Sequence, residues 1–321
     1  MVYNSIVVMK RIIEIDFIKG ILIMLMVLFH FSFFVTEHEM LTGFVYAFHM
    51  SGFLIVSGYL LNVDKSLSKL LRKLLPIYAF FEIVYLVGIG LLSSVLSSSN
   101  HFELTFGNLL YSLILHPIGT YWYLHTMIIG SVSYWGINKI RGCKNANTLI
   151  FLALLLWSIA CFVEGFMWEN AIYFLLGVTL RRLEVPFYKF FKPSLLFIVP
   201  VIIIALSCKE VRRETLSGFF VTIFVLSFLM AAYGKIPSKL RFYVSYIGRN
   251  SLSLVLFSPF YVIVAKLYCN KFSFMCGEYI CAILSLLMVV LLSLFSVYIM
   301  DKIGLSKLLA GTKLYVPVHE M

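Results

Sequence analysis

Charged residues are scarce in this chain of 321 amino acids. Asp, Glu, Lys and Arg together make up 13% of the residues, whereas 61% are hydrophobic. No segment is both long and polar enough to fold as a separate soluble domain, so we expect one integral domain over residues 1–321. The composition excludes a soluble enzyme and indicates a membrane protein built from helices.

Clustered cysteines and a compact basic patch are also missing. The six cysteines show neither the spacing of metal ligands nor an even disulfide framework, so we expect no metal. The net charge of +11 comes from Lys and Arg spread over short loops rather than from one patch interleaved with aromatic residues. This distribution excludes a nucleic-acid partner and indicates a membrane topology signal instead.

Apolar runs of membrane-spanning length recur along the chain. We predict an all-α polytopic protein with ten transmembrane helices, near residues 17–36, 43–62, 74–96, 120–138, 148–164, 169–180, 194–208, 216–233, 250–268 and 277–300. The sixth is shorter than the roughly 17–25 residues of a straight span. We retain it because ten crossings place nearly all Lys and Arg on one side, the exceptions being Lys209, Arg212, Arg213, Lys266 and Lys271. The positive-inside rule then makes both termini cytoplasmic.

The first predicted span carries three ionisable residues. Asp16 and Lys19 lie near its start, and ten residues separate Lys19 from His30. On a continuous α-helix His30 would lie within roughly 20° of Lys19 in azimuth and about 16 Å further along the axis. Ionisable groups in a membrane helix are costly and are therefore candidates for function. The alternative for Lys19 is an interfacial residue that extends toward water and pairs with Asp16.

Several short motifs occur in the order of a known family, and the chain resembles the membrane-bound acyltransferase 3 family over about residues 10–300. The lysine before the ten-residue gap is similar to the fucose O-acetylase and exopolysaccharide O-acyltransferase branches. The motifs are Asp16-x-x-Lys19-Gly20 with His30, Phe48-His49-Met50-Ser51-Gly52-Phe53, Ser57-Gly58-Tyr59-Leu60, Leu71-Arg72-Lys73-Leu74-Leu75-Pro76, Trp122-Tyr123-Leu124, Tyr173-Phe174-Leu175-Leu176-Gly177 and Ile247-Gly248-Arg249-Asn250-Ser251-Leu252.

The resemblance implies a multi-pass enzyme of the cell membrane, the inner or plasma membrane of a bacterium. Such an enzyme transfers an acyl group, usually acetyl, from cytoplasmic acyl-coenzyme A to a hydroxyl of a cell-surface or lipid-linked saccharide. It works within the lipid bilayer and can belong to a polysaccharide synthesis or export complex. The sequence leaves open the acyl group, the acceptor sugar and its position, and the oligomeric state.

The resemblance also suggests roles for individual residues. Lys19, Arg72 and Lys73 would bind the phosphate-rich head of the donor. His30 and Asp16, which lie on the same predicted helix, would be catalytic. Whether His30 acts as a general base or carries the acyl group itself stays open.

Four further residues are candidates for substrate contact or for support of the site. His49 lies in a matched motif, although Ser51 replaces the usual proline there. Trp122 would pack against a sugar ring or the donor arm, or else belong to an interfacial belt. Glu82 would raise the basicity of a nearby imidazole if it faces the interior, and would be protonated if it does not. Asn250 would contact the donor or cap a helix.

Two features of the sequence concern the acceptor. The family often has a histidine in the ninth span, where this chain has Ser258. The mixed-charge stretch 209–214 is either a solvated loop or a contact for an anionic outer substrate.

A rival hypothesis is a transporter or flippase for a saccharide or lipid-linked saccharide, which would need polar residues on broken helices but no chemistry. A structural partner in an export complex is a third.

Overall fold

The computed structural model describes residues 12–61, 67–96, 103–141, 147–208 and 210–318. Within these ranges the protein is helical and contains no strand, which confirms the predicted all-α class. Lys209, which the charge argument used, lies outside the described residues.

The helices follow one another with short connections. The first half of the chain forms α1 (Ile13–Leu28), α2 (Ser32–Glu37), α3 (Glu39–Leu60), α4 (Leu67–Leu96), α5 (Phe106–Ile114), α6 (Trp122–Arg141) and α7 (Asn147–Phe162). The second half forms α8 (Trp168–Arg182), α9 (Phe187–Phe190), α10 (Ile198–Ser207), α11 (Leu216–Tyr233), α12 (Ser238–Arg249), α13 (Ser251–Cys276), α14 (Glu278–Lys302) and α15 (Leu305–Ala310).

Five helices in the described ranges are long and apolar enough to cross a membrane. These segments lie in α3, α4, α11, α13 and α14. The helices at the other five predicted spans, α1, α6, α7, α8 and α10, are shorter or less apolar. The chain is therefore a helical membrane protein, while the number of ten crossings and the cytoplasmic position of the termini stay predictions.

The first predicted span is not one continuous helix. Helix α1 ends at Leu28, and Phe31 adopts an extended conformation before α2 begins at Ser32. The Tyr46 hydroxyl, on α3, donates a hydrogen bond of 2.7 Å to the carbonyl oxygen of Phe29. A carbonyl group released by a break in a membrane helix needs such a partner, because lipid offers none. His30 therefore lies in a turn, not within a helix as predicted.

Helix α12 lies between the predicted spans 216–233 and 250–268, where no helix was predicted. It begins after Pro237 and ends at Arg249, and its residues Val244, Ser245, Tyr246 and Gly248 are buried. The search for long apolar runs missed it because a short amphipathic helix carries as many polar as apolar residues.

Helices α1 and α12 meet backbone to backbone at two glycines. A methyl group added to Gly20 would meet the carbonyl oxygen of Val244, and one added to Gly248 would meet the carbonyl oxygen of Asp16. Small residues at a helix crossing let the backbones approach closely, which is a main source of packing energy in membranes.

Helices α3 and α8 cross in the same way. A methyl group on Gly58 would meet the carbonyl oxygen of Phe174, and one on Gly177 would meet the carbonyl oxygen of Ile55. The two crossings hold α1, which carries Asp16 and Lys19, against α12, and α3, which carries His49, against α8.

The crossing of α1 and α12 predicts a specific loss of stability. Replacement Gly248→Ala places a methyl group against backbone that cannot move aside, so we expect unfolding to become easier by about 1–3 kcal/mol. The measurement is the unfolding transition of the detergent-purified protein. The control is Gly136→Ala on α6, where a methyl group meets nothing within 4 Å. Equal transitions for the two variants would show that the crossing tolerates a side chain.

Candidate active site

Two cavities open within the helix bundle. The first, of about 410 Å³, is lined by His30 and His49, and we call it the histidine cavity. The second, of about 540 Å³, is lined by Lys19 and Lys73, and we call it the lysine cavity. Helix α1 links them, because it carries Lys19 and leads directly into the turn that holds His30. From Lys19 to the end of α1 at Leu28 the helix rises about 14 Å, so Lys19 and His30 lie at different depths.

The two cavities lie back to back. On α3, Met50 lines the histidine cavity and Phe53, three residues later, lines the lysine cavity. On α6 the corresponding residues, Trp122 and Tyr123, are sequence neighbours. The wall between the cavities contains the edge-on ring pair of Phe53 and Tyr123, with centroids 5.1 Å apart, and the Tyr123 hydroxyl is 2.6 Å from Ser57 Oγ. At this level less than one helical turn separates the cavities.

The imidazole of His30 is oriented by its own backbone. Its Nδ1 lies 2.6 Å from the carbonyl oxygen of Met26. A carbonyl oxygen only accepts hydrogen bonds, so Nδ1 carries the proton and the lone pair of the neutral ring is on Nε2. The ring of Tyr46 lies edge-on, with its centroid 6.3 Å away. His30 therefore offers the histidine cavity a basic nitrogen.

The imidazole of His49, on α3, is oriented by its own backbone in the same way as that of His30. Its Nδ1 donates to the carbonyl oxygen of Val45 at 2.8 Å, and its buried Nε2 has no hydrogen-bond partner among the described residues. The ring of Tyr46 lies 5.2 Å from that of His49, so this tyrosine stands beside both histidines. Sequence reasoning missed Tyr46, and its position three residues before His49 on α3 was the available signal. In the described ranges no three His, Cys, Asp or Glu side chains form a group suited to a metal ion.

Trp122 and Arg213 form another part of the histidine cavity. The Arg213 guanidinium lies over the Trp122 ring, 5.5 Å from its centroid. It also lies 3.5 Å from the Glu169 carboxylate and donates to Asn170 Oδ1 at 3.2 Å. The prediction of a solvated loop is therefore wrong for Arg213, whereas Arg212 fits it with 59% of its side chain exposed. The partners of Arg213 are 43 residues or more away in sequence, so no local pattern could predict them.

The lysine cavity contains part of the predicted donor site. Lys19 lines it and lies 3.9 Å from Asp16, the ion pair expected from their spacing. Lys73 lines the cavity as well, whereas Arg72 is exposed and is not part of the lining. Asp16 lies twelve residues before the end of α1 at Leu28, about 18 Å of helix, and is therefore far from the turn that holds His30. We therefore group Asp16 with Lys19 rather than with the reacting atoms.

Glu82 and Asn250 lie outside the linings of both cavities. Glu82 is fully buried on α4, and its Oε1 accepts a hydrogen bond of 2.7 Å from the backbone N–H of Ile118. That bond fixes the loop that leads to Trp122. Asn250 is bonded to the backbone of Val316 in the C-terminal segment. The structure thus brings Lys19 together with Lys73 in one cavity, and His30 with His49 and Trp122 in the other. Glu82 and Asn250 instead bind backbone groups of neighbouring segments.

Comparison with known proteins identifies the family. A family model described as an acyltransferase domain, that of the acyltransferase 3 family, matches residues 12–301. Searches of curated proteins and of solved structures find no match. The matched residues contain both cavities except for two positions near the C-terminus, Ala310 and Thr312. Because the match covers most of the chain and includes His30, Lys19 and Lys73, the protein belongs to the acyltransferase 3 family.

Proposed function

We propose that this protein transfers an acyl group, most simply acetyl, from cytoplasmic acyl-coenzyme A to a hydroxyl of a saccharide on the other side of the cell membrane. The back-to-back arrangement of the lysine and histidine cavities is the observation that carries the proposal. Two substrates that arrive from opposite faces need two separate chambers that come together at the reacting atoms. The branch that acetylates cell-surface or lipid-linked saccharides in bacteria, suggested by Lys19 and the ten-residue gap, is part of the same proposal.

The lysine cavity is the donor side in this proposal. With ten crossings and both termini inside, the lysine cavity faces the cytoplasm. Lys19 and Lys73 supply two cations for the phosphates of coenzyme A, and such charge-assisted hydrogen bonds are among the stronger ones in proteins. The acyl end of the donor then passes the wall formed by Phe53 and Tyr123 and reaches the histidine cavity.

The histidine cavity is the acceptor side. An aromatic ring such as Trp122 offers an apolar face on which a sugar ring packs. Arg213 holds that ring from the opposite surface, so we assign it a positioning role. In this proposal His49, whose Nε2 has no hydrogen-bond partner in the described part of the chain, accepts a hydrogen bond from a second hydroxyl of the sugar.

His30 carries the chemistry. Its Nε2 removes the proton from the acceptor hydroxyl while the oxygen attacks the thioester carbonyl carbon. The carbon–sulfur bond then breaks, and the coenzyme A thiolate takes the proton from the imidazolium. The hydroxyl ends as an ester, coenzyme A leaves as a thiol, and the imidazole is neutral again. An acyl carrier at the same nitrogen would divide this transfer into two steps.

The first prediction separates His30 from a buried histidine that has no part in either cavity. Replacement His30→Gln should lower the release of coenzyme A from radiolabelled acetyl-coenzyme A by about 10²–10⁴-fold, because it removes the general base. The matched control is His125→Gln. His125 is buried and bonds to the carbonyl oxygen of Ile114, but it lines neither cavity. The release of coenzyme A by each variant is compared with that by wild type, provided that the variant has the thermal stability of the wild type.

Protein-bound label would favour the acyl-carrier route, and release without bound label would favour the general base. Equal activity of wild type and His30→Gln would contradict the assignment of His30. The absence of both release and binding of acetyl-coenzyme A by the wild type would favour the transporter.

A second prediction uses two adjacent cations on α4. Replacements Arg72→Ala and Lys73→Ala each remove one positive charge, but only Lys73 lines the lysine cavity. We expect Lys73→Ala to weaken binding of acetyl-coenzyme A by about tenfold, in line with the loss of one charge-assisted hydrogen bond. Arg72→Ala should have a smaller effect. The measurement is equilibrium binding of the radiolabelled donor, and the reverse order would move the donor head out of the cavity and onto the surface of α4.

A further inference from the structure

The C-terminal segment folds back under the helix bundle. Helix α14 ends before Gly304, a short helix α15 follows, and Gly311 ends that helix. Both glycines have left-handed backbone conformations, with φ of 81° and 69°, which other residues adopt only at a cost. The two sharp turns place α15 against α4 and α14 and direct the following residues across the end of the bundle.

The segment 311–316, which we call the C-terminal strap, is fastened by side chains from two other helices. Asn250 at the end of α12 accepts a hydrogen bond from the Val316 N–H at 2.9 Å and donates to the Val316 carbonyl oxygen at 3.1 Å. Asp301 on α14 accepts from the N–H groups of Leu314 and Tyr315, at 3.1 and 2.9 Å. Two of these four bonds satisfy the backbone N–H and C=O groups of Val316. All four together hold an otherwise irregular segment in one position.

The strap also borders the lysine cavity. Thr312, the residue after the Gly311 turn, lines that cavity together with Lys19, Lys73 and Ser251. The family model ends at residue 301, so nothing in the family match assigns a role to this segment. Thr312 brings a neutral hydrogen-bond donor and acceptor from the C-terminal strap to a cavity that also contains the cations of Lys19 and Lys73.

We infer that the C-terminal strap is part of the acyl-donor site, with Thr312 as a binding residue and Asn250 and Asp301 as the positioning residues that hold it over the lysine cavity. This inference rests on the proposed function, which places acyl-coenzyme A in that cavity. Asn250 thus acts on the donor through the strap, although it belongs to a motif that suggests direct contact.

The test measures equilibrium binding of radiolabelled acetyl-coenzyme A to the purified full-length protein. Thr312→Val removes the hydroxyl and preserves the volume, so we expect the dissociation constant to rise about two- to tenfold, the range for one neutral hydrogen bond. Thr312→Ser keeps the hydroxyl and should bind as the wild type does. Val318→Ala, at an exposed position beyond the fastened residues, is the control and should leave binding unchanged.

A double-variant comparison tests whether Asn250 acts through Thr312. Asn250→Ala releases the strap and should also weaken binding, while the combination with Thr312→Val should be no weaker than the more severe single variant. Multiplied effects in the double variant would show that Asn250 acts independently of the strap. The single Thr312 variants keep the test decisive if Asn250→Ala fails to fold.

The outcomes separate the inference from the proposed function. Unchanged binding in Thr312→Val, with weakened binding in Lys73→Ala, would overturn the role of the strap and leave the donor cavity in place. No saturable binding of acetyl-coenzyme A by the wild type would overturn the donor assignment itself, and the strap proposal with it.

Discussion

The close approach of two helix pairs at glycines is the constraint on which the site depends. In lipid, helices gain little from burying apolar side chains against one another, so van der Waals contact at small residues contributes much of the packing energy. Gly20 and Gly248 bring α1 onto α12, and Gly58 and Gly177 bring α3 onto α8. All four glycines belong to the motifs that carry the family resemblance. Part of what looks like a catalytic signature is therefore a packing signature.

These crossings position the candidate site residues that are close to them in sequence. Lys19 directly precedes Gly20, so the contact with α12 fixes the helix that carries it. Asn250, two residues after Gly248, extends the same contact to the C-terminal strap. A substitution at a crossing glycine would therefore displace the lysine cavity, although none of these four glycines lines either cavity.

The sequence revealed the features that depend on one helix and missed those that join distant segments. Apolar runs predicted most of the long helices, and spacing predicted the Asp16–Lys19 ion pair. The continuous helix expected between Lys19 and His30 was wrong. The break after Leu28 was not predictable, because a hydrogen bond from Tyr46 on another helix stabilises it. The same limit applies to Arg213, whose partners lie on α6 and α8, and to the strap, whose fastening residue Asn250 is 66 residues from Val316. Periodicity reports which face of a helix is buried, but not which residue lies opposite.

The orientation of the two histidines has a consequence for the order of proton transfer. In a Ser-His-Asp triad a carboxylate orients the imidazole and stabilises its positive charge. Among the described residues, the orienting partners of His30 and His49 are instead backbone carbonyls of their own chain segments. A carbonyl dipole fixes the tautomer but stabilises an imidazolium less than a full negative charge does. A long-lived charged histidine is therefore unfavourable in this cavity. For the reaction we propose, this arrangement favours a transfer in which the proton leaves the hydroxyl as the carbonyl is attacked and passes directly to the departing thiolate.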